Sequence, residues 1–312
     1  MTPSTGQVQK FDSDFFTIDQ IPLAINFHVW PDCNYHCRFC FAQFKKSERR
    51  LPRKQALKLI EYFYEWGVQK INFAGGEPTI CPYLGELLDF SKNLGLTTSI
   101  ISNGTGITEK FLLKHFRSID WLGLSVDSGN EIIQARLGRG NGSHVGSIIK
   151  KVEIVKRFPI NLKINTVVTA LNWRENMGWL INLLRPQRWK VFQILPIENE
   201  NRGGISELLI SNTKFREFIR RHRKYHPIAE DNDLMLESYA MVDPLGRFFQ
   251  NSGNFYNFSV PILKVGIAAA FKQIQWNKGK FAKRGGFYDW KIKSQKTHLN
   301  FGGTEQKGGS ND

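Results

Sequence analysis

Three cysteines within eight residues are the segment of this sequence most suited to metal chemistry. Cys33, Cys37 and Cys40 have the spacing C-x3-C-x2-C, and the one other cysteine of the chain, Cys81, stands alone. Such crowded thiols make a poor disulfide framework, because very short loops strain the bond and distant partners are lacking. A metal site in a reducing compartment explains the distribution better.

Two kinds of metal site fit this spacing. Three thiolates on one loop can bind three irons of a [4Fe–4S] cluster and leave the fourth iron open to a small ligand. The alternative is a structural zinc site completed by His28 or His36. Structural zinc sites usually pair C-x2-4-C with a second ligand pair further along the chain, and the sequence has no such pair. The spacing therefore favours an iron–sulfur cluster, with Cys81 as a small buried residue.

The elements that position these cysteines alternate regularly between strands and helices up to about residue 192. Short β-branched or aromatic runs bounded by turn residues predict strands over Leu23–Trp30, Lys70–Ala74, Thr97–Ser102, Trp121–Val126, Leu162–Val168 and Trp189–Leu195. Apolar residues at helical spacing predict helices over Arg53–Trp66, Tyr83–Asn93, Thr108–Phe116, Val145–Phe158 and Met177–Leu184. Two later segments, Thr213–His226 and Val265–Phe271, predict a charged and an apolar helix.

This alternation predicts an α/β fold with parallel strands and right-handed crossovers, either a barrel or an open doubly wound sheet. In both, ligands bind beyond the carboxyl ends of the strands. Polar motifs follow the first four strands at those ends, namely the cysteines, GGEP at 75–78, SNG at 102–104 and DS at 127–128. We therefore expect these motifs to form one site.

The charge of the chain indicates a polyanionic partner. Its 43 Lys and Arg residues outnumber its 28 Asp and Glu residues, for a formal net charge of +15. Such an excess favours nucleic acid, an anionic membrane or a phosphorylated metabolite. No apolar run reaches the roughly 20 residues that span a bilayer, and residues 1–16 lack the pattern of a secretory signal. We expect a soluble, cytoplasmic protein.

The cysteine segment, with aromatic Phe39 before its third cysteine, resembles the signature of the radical S-adenosylmethionine (SAM) superfamily. The segment GGEP at 75–78 matches the motif with which that superfamily holds the amino group of SAM. The resemblance implies a partial (β/α)6 barrel whose active site is capped by a C-terminal α/β extension. It also implies a [4Fe–4S] cluster on Cys33, Cys37 and Cys40, with SAM on the fourth iron as source of a 5′-deoxyadenosyl radical.

Longer segments between residues 22 and 290 resemble the viperin family. They are NFH at 26–28, CNYHCRFCF at 33–41, KINFAGGEP at 70–78, SIISNG at 99–104, SVDS at 125–128, GRGNG at 138–142, KIN at 163–165, RWKVFQ at 188–193 and KRGG at 283–286. Viperins are antiviral enzymes in which the deoxyadenosyl radical takes the ribose 4′-hydrogen of a nucleoside triphosphate and the 3′-hydroxyl leaves as water. The resemblance implies that this chain converts CTP, UTP or GTP into a chain-terminating 3′-deoxy-3′,4′-didehydro nucleotide.

The viperin resemblance also implies the residues of the site. Contacts to SAM would come from Phe39, Gly75, Gly76, Glu77, Ser102, Asn103, Ser125 and Arg139. Contacts to the nucleoside triphosphate would come from Asn26, Lys70, Asn72, Lys163, Asn165, Arg188, Lys190 and Lys283. Lysines and arginines suit a triphosphate, and Lys163 and Lys190 interrupt apolar strands where solvated charge is unusual.

The resemblance runs from about residue 22 to residue 290. We divide the chain into an N-terminal arm at 1–20, a barrel core at 21–210, a C-terminal extension at 211–292 and a disordered tail at 293–312. Animal viperins begin with a membrane-associating helix that residues 1–22 do not replace, so we expect a prokaryotic type without a membrane partner. The family's tyrosine near the nucleobase aligns with Leu245, which leaves the base open. We further expect a monomer with no nucleic-acid partner and an external one-electron donor of the flavodoxin or ferredoxin type.

Two other functions fit parts of the sequence. Radical SAM enzymes that modify peptides or build a molybdenum-cofactor precursor usually carry further cysteine clusters near the C-terminus, and this chain has no cysteine after Cys81. A zinc-containing RNA-binding protein would present aromatic residues among basic ones, whereas the segment Phe248–Phe258 is aromatic without being basic. Both patterns are weaker than the resemblance to viperins.

Overall fold

The fold is described by a computed structural model that covers residues 21–44, 50–198, 200–253 and 255–290. The arm predicted at 1–20 and the disordered tail predicted at 293–312 lie outside the described residues. Within the described ranges, no helix is both long and apolar enough to cross a bilayer.

Ten strands of the described chain form one sheet in the order β10-β9-β8-β1-β2-β3-β4-β5-β6-β7. They are β1 (Ala24–Trp30), β2 (Lys70–Gly75), β3 (Thr97–Ser102), β4 (Trp121–Ser125), β5 (Asn161–Val168), β6 (Arg188–Gln193), β7 (Ile228–Glu230), β8 (Ala240–Val242), β9 (Phe248–Ser252) and β10 (Phe255–Phe258). The strands from β1 to β7 pair in parallel in chain order, and β8 pairs in parallel with β1. Strands β9 and β10 add antiparallel pairs, and the two end strands, β7 and β10, do not pair with each other. The sheet is therefore an open, partial barrel with a C-terminal extension, which confirms the predicted fold class.

The helices cover the outside of this sheet. They are α1 (Arg53–Glu65), α2 (Leu84–Asn93), α3 (Glu109–His115), α4 (Glu131–Arg136), α5 (His144–Val155), α6 (Gly178–Leu184), α7 (Asn212–Arg221), α8 (Asn232–Met235), α9 (Ile262–Val265), α10 (Ile267–Phe271) and α11 (Lys278–Lys283). The six predicted strands and five predicted barrel helices are confirmed to within three residues at each end. The predicted apolar helix Val265–Phe271 is instead split into α9 and α10, because Gly266 with φ +84° interrupts it.

Alternation along the strands separates an outer face under the helices from an inner face that lines a cavity. On β2, Ile71 and Phe73 are fully buried in the hydrophobic core, and Lys70 and Asn72 line the cavity. On the outer side, α1 buries one face against the sheet. Its Phe63 makes an edge-to-face contact with Phe27 of β1, with ring centroids 6.0 Å apart. The two-residue alternation that places apolar strand side chains under the helices therefore points the polar side chains into the cavity.

Sequence periodicity does not predict the strands from β7 to β10 or the helices α4, α8 and α11. Each has only three to six residues, too few to display a period. Strand β8 is positioned by pairing with β1, at the opposite end of the chain, in the register Ile25↔Ala240. Long-range pairing of this kind leaves no local mark in the sequence.

Candidate functional site

A cavity of about 290 Å³ lies inside the barrel, and its two ends differ in chemistry. At the carboxyl ends of the strands it is lined by the cysteine loop and by residues 75–77, 102–103 and 139; we call this the cysteine end. At the amino ends of the strands it is lined by five buried or half-buried cations. We call these the cation cluster, which consists of Lys70, Lys163, Arg188, Lys190 and Arg284.

The loop after β1 brings Cys33, Cys37 and Cys40 to the cysteine end, all three as free thiols that line the cavity. Two backbone amides of this loop donate to the carbonyl oxygens of Gly138 and Leu137, at 3.3 and 3.0 Å. The loop is therefore held against the segment that follows α4, a part of the chain far away in sequence.

The three thiols fit an iron–sulfur cluster. Burial raises the pKa of the Cys37 thiol to about 11 and that of Cys40 to about 12, so both hold protons at neutral pH unless a metal displaces them. In the described ranges no three His, Cys, Asp or Glu side chains converge closely enough to hold a single metal ion. A four-iron cluster does not need that convergence, because each thiolate binds a different iron.

Two glycines allow the end of β2 to lie directly against the cysteine loop. A Cβ on Gly75 would lie 2.3 Å from the carbonyl oxygen of Trp30, and one on Gly76 would lie 2.2 Å from that of Asp32. The amide of Gly76 donates to the Trp30 oxygen at 2.7 Å, and the amide of Glu77 donates to the Asp32 oxygen at 2.8 Å. Residues with side chains could not make this approach, which explains the glycine pair.

Glu77 presents a fixed carboxylate at the cysteine end. It is only 1% exposed, and its oxygens accept hydrogen bonds from the Ser102 hydroxyl at 2.7 Å, the Asn103 amide at 2.7 Å and the Thr79 amide at 3.0 Å. Burial raises the pKa of Glu77, and the Thr79 hydroxyl, which donates at 2.5 Å, opposes that rise together with these three donors. A buried, oriented carboxylate of this kind suits a cationic ligand group such as an amine.

Arg139 and Ser125 complete the cysteine end. The Arg139 guanidinium is 8% exposed, pairs through Nε with the carboxylate of Asp127 and lies 5.5 Å from the centroid of the Phe39 ring. The carbonyl oxygen of Ser125 lies 2.8 Å from Nε2 of His144, which fixes the end of β4. All of the residues predicted to contact SAM therefore line one end of the cavity.

The cation cluster lies deep in the barrel rather than beyond the carboxyl ends of the strands. Lys70 and Arg188 are the first residues of β2 and β6, and Lys163 pairs with Arg188 across the parallel register. Lys70 and Lys163 are only 2% and 5% exposed. The rule that ligands bind beyond the carboxyl ends thus describes the cysteine end alone, and the side chains of the cluster extend the site down through the barrel.

This concentration of positive charge lowers the pKa of its lysines. Burial, with a further contribution from Arg188, lowers the pKa of Lys70 to about 7. Burial lowers the pKa of Lys190 to about 8, against the opposing effect of Glu230. Burial and the neighbouring Lys70 hold the pKa of Lys163 well below its usual value. An anion placed among these groups would reverse the shifts.

Glu230 is an acidic partner of the cluster. Its carboxylate is fully buried at the end of β7, pairs with Lys190 and lies 3.8 Å from Nη1 of Arg284. The hydroxyl of Tyr239 donates to Glu230 and accepts from Nζ of Lys190 at 3.0 Å. Five cations against this one carboxylate leave an excess of four positive charges when every group is charged.

Aromatic residues near the end of the described chain enclose the cluster. The ring centroid of Tyr288 lies 3.6 Å from the Arg188 guanidinium carbon and 4.6 Å from Nζ of Lys70. The indole N–H of Trp121 donates to the carbonyl oxygen of Trp290 at 3.0 Å, which ties this last turn to β4. The amino end of the cavity is thereby closed by the C-terminal extension.

Three asparagines line the cavity between its two ends. Asn26 and Asn72 are register partners on β1 and β2, and Asn165 lies on β5. The Oδ1 atoms of Asn72 and Asn165 are buried without a hydrogen-bond partner in the described part of the chain. Such groups cost stability in an empty cavity, so a polar ligand is expected to satisfy them.

Of the residues predicted from the sequence, all but Lys283 line this cavity. Lys283 is the last residue of α11 and is exposed, whereas the adjacent Arg284 is 7% exposed and points inward. The Nε and Nη2 atoms of Arg284 donate to the carbonyl oxygen of Ser238, at 3.1 and 3.0 Å. The KRGG segment does reach the site, but through Arg284 and the two glycines after it and not through Lys283.

Sequence reasoning also misses Tyr239 and Tyr288. Leu245, aligned with the family's tyrosine near the nucleobase, lies in the turn between β8 and β9 and does not line the cavity. Tyr239, just before β8, lines it instead and contacts the cation cluster. A tyrosine immediately before a short apolar strand is a signal that could have indicated this position.

Comparison with known proteins agrees with this geometry. A family model described as "Radical SAM superfamily" matches residues 28–175. The protein named "S-adenosylmethionine-dependent nucleotide dehydratase" from Flammeovirga pacifica is 41% identical over 278 residues, which cover 86% of this chain and 96% of the relative. The protein "S-adenosylmethionine-dependent nucleotide dehydratase RSAD2" from Oncorhynchus mykiss is 36% identical, over 86% of this chain and 81% of the relative.

Solved structures share the architecture at low sequence identity. The structure described as "Native anSMEcpe with bound AdoMet and Kp18Cys peptide" superposes with a TM-score of 0.64 at 16% identity, over 83% of this chain and 84% of that chain. Streptococcus suis SuiB bound to S-adenosylmethionine gives a TM-score of 0.59 at 16% identity, over 73% of this chain and 60% of that chain. At such identity the likeness shows a common fold.

Proposed function

This chain belongs to the family of S-adenosylmethionine-dependent nucleotide dehydratases, the viperins, and on that basis we propose that it dehydrates a ribonucleoside triphosphate. As a member it is a radical SAM enzyme that uses a [4Fe–4S] cluster and SAM. The proposed product is the 3′-deoxy-3′,4′-didehydro form of CTP, UTP or GTP, which lacks the 3′-hydroxyl that a polymerase extends and so acts as an antiviral chain terminator.

The cation cluster is the observation that favours a triphosphate as the substrate. When every group is charged, its five cations with Glu230 leave an excess of four positive charges, and a nucleoside triphosphate carries about four negative charges. Burial, with a smaller contribution from neighbouring cations, lowers the pKa of these ammonium groups and destabilises their charged forms in the free enzyme, and a polyanion would stabilise those forms. A neutral substrate such as a peptide side chain would leave the cluster uncompensated.

The residues of the cysteine end are proposed to hold the cofactors. Cys33, Cys37 and Cys40 would ligate the cluster, and Glu77 would bind the amine of SAM. When bound, the cluster and SAM supply a one-electron cleavage that delivers a 5′-deoxyadenosyl radical. The glycine pair at 75–76 would let the backbone approach and support SAM, and Arg139 would lie between SAM and the substrate.

The chain orients the nucleotide between the two ends. With the triphosphate in the cation cluster, the ribose reaches the level of Asn26, Asn72 and Asn165. The Oδ1 atoms of Asn72 and Asn165, which have no partner in the described part of the chain, can accept from its hydroxyls. The 4′-hydrogen then faces the cysteine end. After that hydrogen is removed, the 3′-hydroxyl leaves with a proton as water, and one further electron completes the alkene.

Exclusion of water is the other contribution of the chain. The cavity is enclosed at its amino end by Tyr288 and Trp290 and at its side by the strands from β8 to β10. Such enclosure limits side reactions of a radical and strengthens the interaction between the cations and the phosphates.

The decisive experiment is an anaerobic assay with SAM, a strong reductant and each ribonucleoside triphosphate in turn. We expect at least one triphosphate to raise formation of 5′-deoxyadenosine well above the level without nucleotide, with loss of one water from the nucleotide by mass spectrometry. If none of the triphosphates does so with iron-loaded enzyme, the proposal fails. The corresponding nucleoside serves as a control, because it lacks the phosphates that the cation cluster would bind.

We also propose that the enzyme acts as a monomer in the cytoplasm, with an external flavodoxin- or ferredoxin-type electron donor and without nucleic acid. The free thiols around the cavity need a reducing compartment. Sedimentation of the iron-loaded enzyme tests the oligomeric state, and reduction by purified donors tests the source of electrons.

A further inference from the structure

One sector of the cavity remains without a role once SAM and the triphosphate are placed. It lies between β6 and β9 and contains no member of the cation cluster. Its lining consists of Gln193, Leu195, Met235, Met241, Asn251 and Tyr256. Most of this wall is apolar, so a polar side chain within it needs an explanation.

Asn251 is such a side chain. It is 3% exposed, and its Oδ1 atom is buried without a hydrogen-bond partner in the described ranges. Gln193 in the same sector is satisfied, because its Nε2 donates to the carbonyl oxygen of Ile210 at 3.1 Å. An unpaired amide in an otherwise apolar wall destabilises the empty enzyme, and a ligand with a matching edge would satisfy it.

The sheet places Asn251 between the two ends of the cavity. Tyr256 of β10 is its register partner on one side, and continuing the antiparallel β8–β9 ladder puts Tyr239 on the other. The Tyr256 hydroxyl donates to the carbonyl oxygen of Phe41 on the cysteine loop at 2.7 Å. The Tyr239 hydroxyl contacts Lys190 of the cation cluster. Asn251 therefore lies at the level of a ribose bound between the two ends.

The geometry of a nucleotide directs the base to this sector. The phosphates leave the ribose through C5′ on C4′, and the base is attached at C1′, across the ring oxygen. With the phosphates in the cation cluster and C4′ facing the cysteine end, the base must extend sideways toward an uncharged wall. The sector around Asn251 meets that requirement, and Met235 and Met241 supply adaptable apolar contacts for the faces of a ring.

We propose that this sector is the nucleobase subsite and that Asn251 determines which triphosphate is used, an inference that rests on the proposed function. The unpartnered Oδ1 of Asn251 is an acceptor, so it pairs with a base that presents an N–H at its position. A base that presents a carbonyl oxygen or a ring-nitrogen lone pair there leaves Oδ1 unpaired, which is the origin of the discrimination.

The test compares the wild type with Asn251→Leu, which keeps much of the volume, and Asn251→Ala, which opens space. For each, kcat/KM is measured with CTP, UTP, GTP and ATP separately, as nucleotide-dependent formation of 5′-deoxyadenosine. In both variants, kcat/KM for the preferred nucleotide should fall about 10- to 100-fold, and kcat/KM for the poorer nucleotides should fall much less. The four values should therefore become similar. Asn257→Ala is the matched control, since it removes an exposed amide from the neighbouring β10.

Two further measurements separate this role from a structural one. Iron content and inhibition by inorganic tripolyphosphate, which occupies the cation cluster without a base, should equal those of the wild type in at least one of the two variants. An equal loss with all four triphosphates, an unchanged ranking, or a loss of iron and of tripolyphosphate inhibition in both variants overturns the role of Asn251 and leaves the dehydratase proposal intact. If the wild type processes no triphosphate, both proposals fall together.

Discussion

Binding of a triphosphate to the cation cluster should take up protons from solution, because several of its lysines are partly neutral in the free enzyme. Burial, aided by neighbouring cations, lowers the pKa of Lys70 to about 7. Burial lowers that of Lys190 to about 8. At pH 8, Lys70 is then about one-tenth protonated and Lys190 about half protonated.

The size and sign of the effect follow from these values. A bound polyanion favours the ammonium forms and raises both pKa values toward their ordinary value of about 10.4. At pH 8, Lys70 gains about 0.9 proton and Lys190 about 0.5, so about 1.4 protons enter the complex before Lys163 adds its share. The complex holds more protons than the free enzyme, so affinity rises as pH falls and weakens by about 25-fold per unit as pH rises through 8.

Isothermal titration calorimetry of the anaerobic, iron-loaded enzyme with SAM measures this uptake. Titrations at pH 8 in buffers of different ionisation enthalpy give the number of protons directly, and the last phosphate ionisation, with a pKa of about 6, does not interfere. Lys70→Met should reduce the uptake by about 0.9 proton, and Lys283→Met, which removes an exposed lysine, should leave it unchanged. Zero net uptake, or an affinity that stays constant from pH 7.5 to 8.5, would refute the placement of the phosphates.

Three other predictions address the rest of the site. Cys37→Ala should abolish the brown colour with its absorption near 400 nm and the cleavage of SAM, and retention of four irons per chain would contradict its role as a ligand. Arg284→Met should raise KM for the triphosphate by about tenfold or more, while Lys283→Met changes it less than about twofold; equal effects would contradict the inward position of the arginine. Asp127→Ala should destabilise the apoprotein by about 3–5 kcal/mol in urea unfolding, because Arg139 is left as an unpaired buried cation, and Asp127→Ala combined with Arg139→Ala should recover part of the loss.

Most of the barrel could be predicted from the sequence, because its elements are long enough to display their periods. The strand over Thr97–Ser102 has the predicted limits, because turn residues mark its ends, and the first helix begins at the predicted Arg53, because Pro52 precedes it. The C-terminal extension could not be predicted in the same way. Its strands are held by pairing with β1 and with each other, and its interrupted helices follow the position of Gly266.

The cysteine end was accessible to sequence reasoning because its groups are local motifs. Thiolates at close spacing on one loop act together wherever that loop lies, and the glycine pair before Glu77 is needed for a backbone approach. The two neighbouring residues Lys283 and Arg284 illustrate the opposite case. Both are cationic and both are suited to phosphate, and only the end of α11 decides which of them faces the cavity.

The sequence by itself therefore determined the chemistry of this protein, the radical SAM site and a charge excess suited to a polyanion. Tertiary structure alone decided where that chemistry is applied. Parallel register stacks Lys163 on Arg188 near the amino ends of the strands, and the β8–β10 extension brings Tyr239 and Asn251 to the same cavity. The physical reason is that a motif acts through groups close along the chain, whereas a substrate cavity is formed by side chains that only long-range pairing brings together.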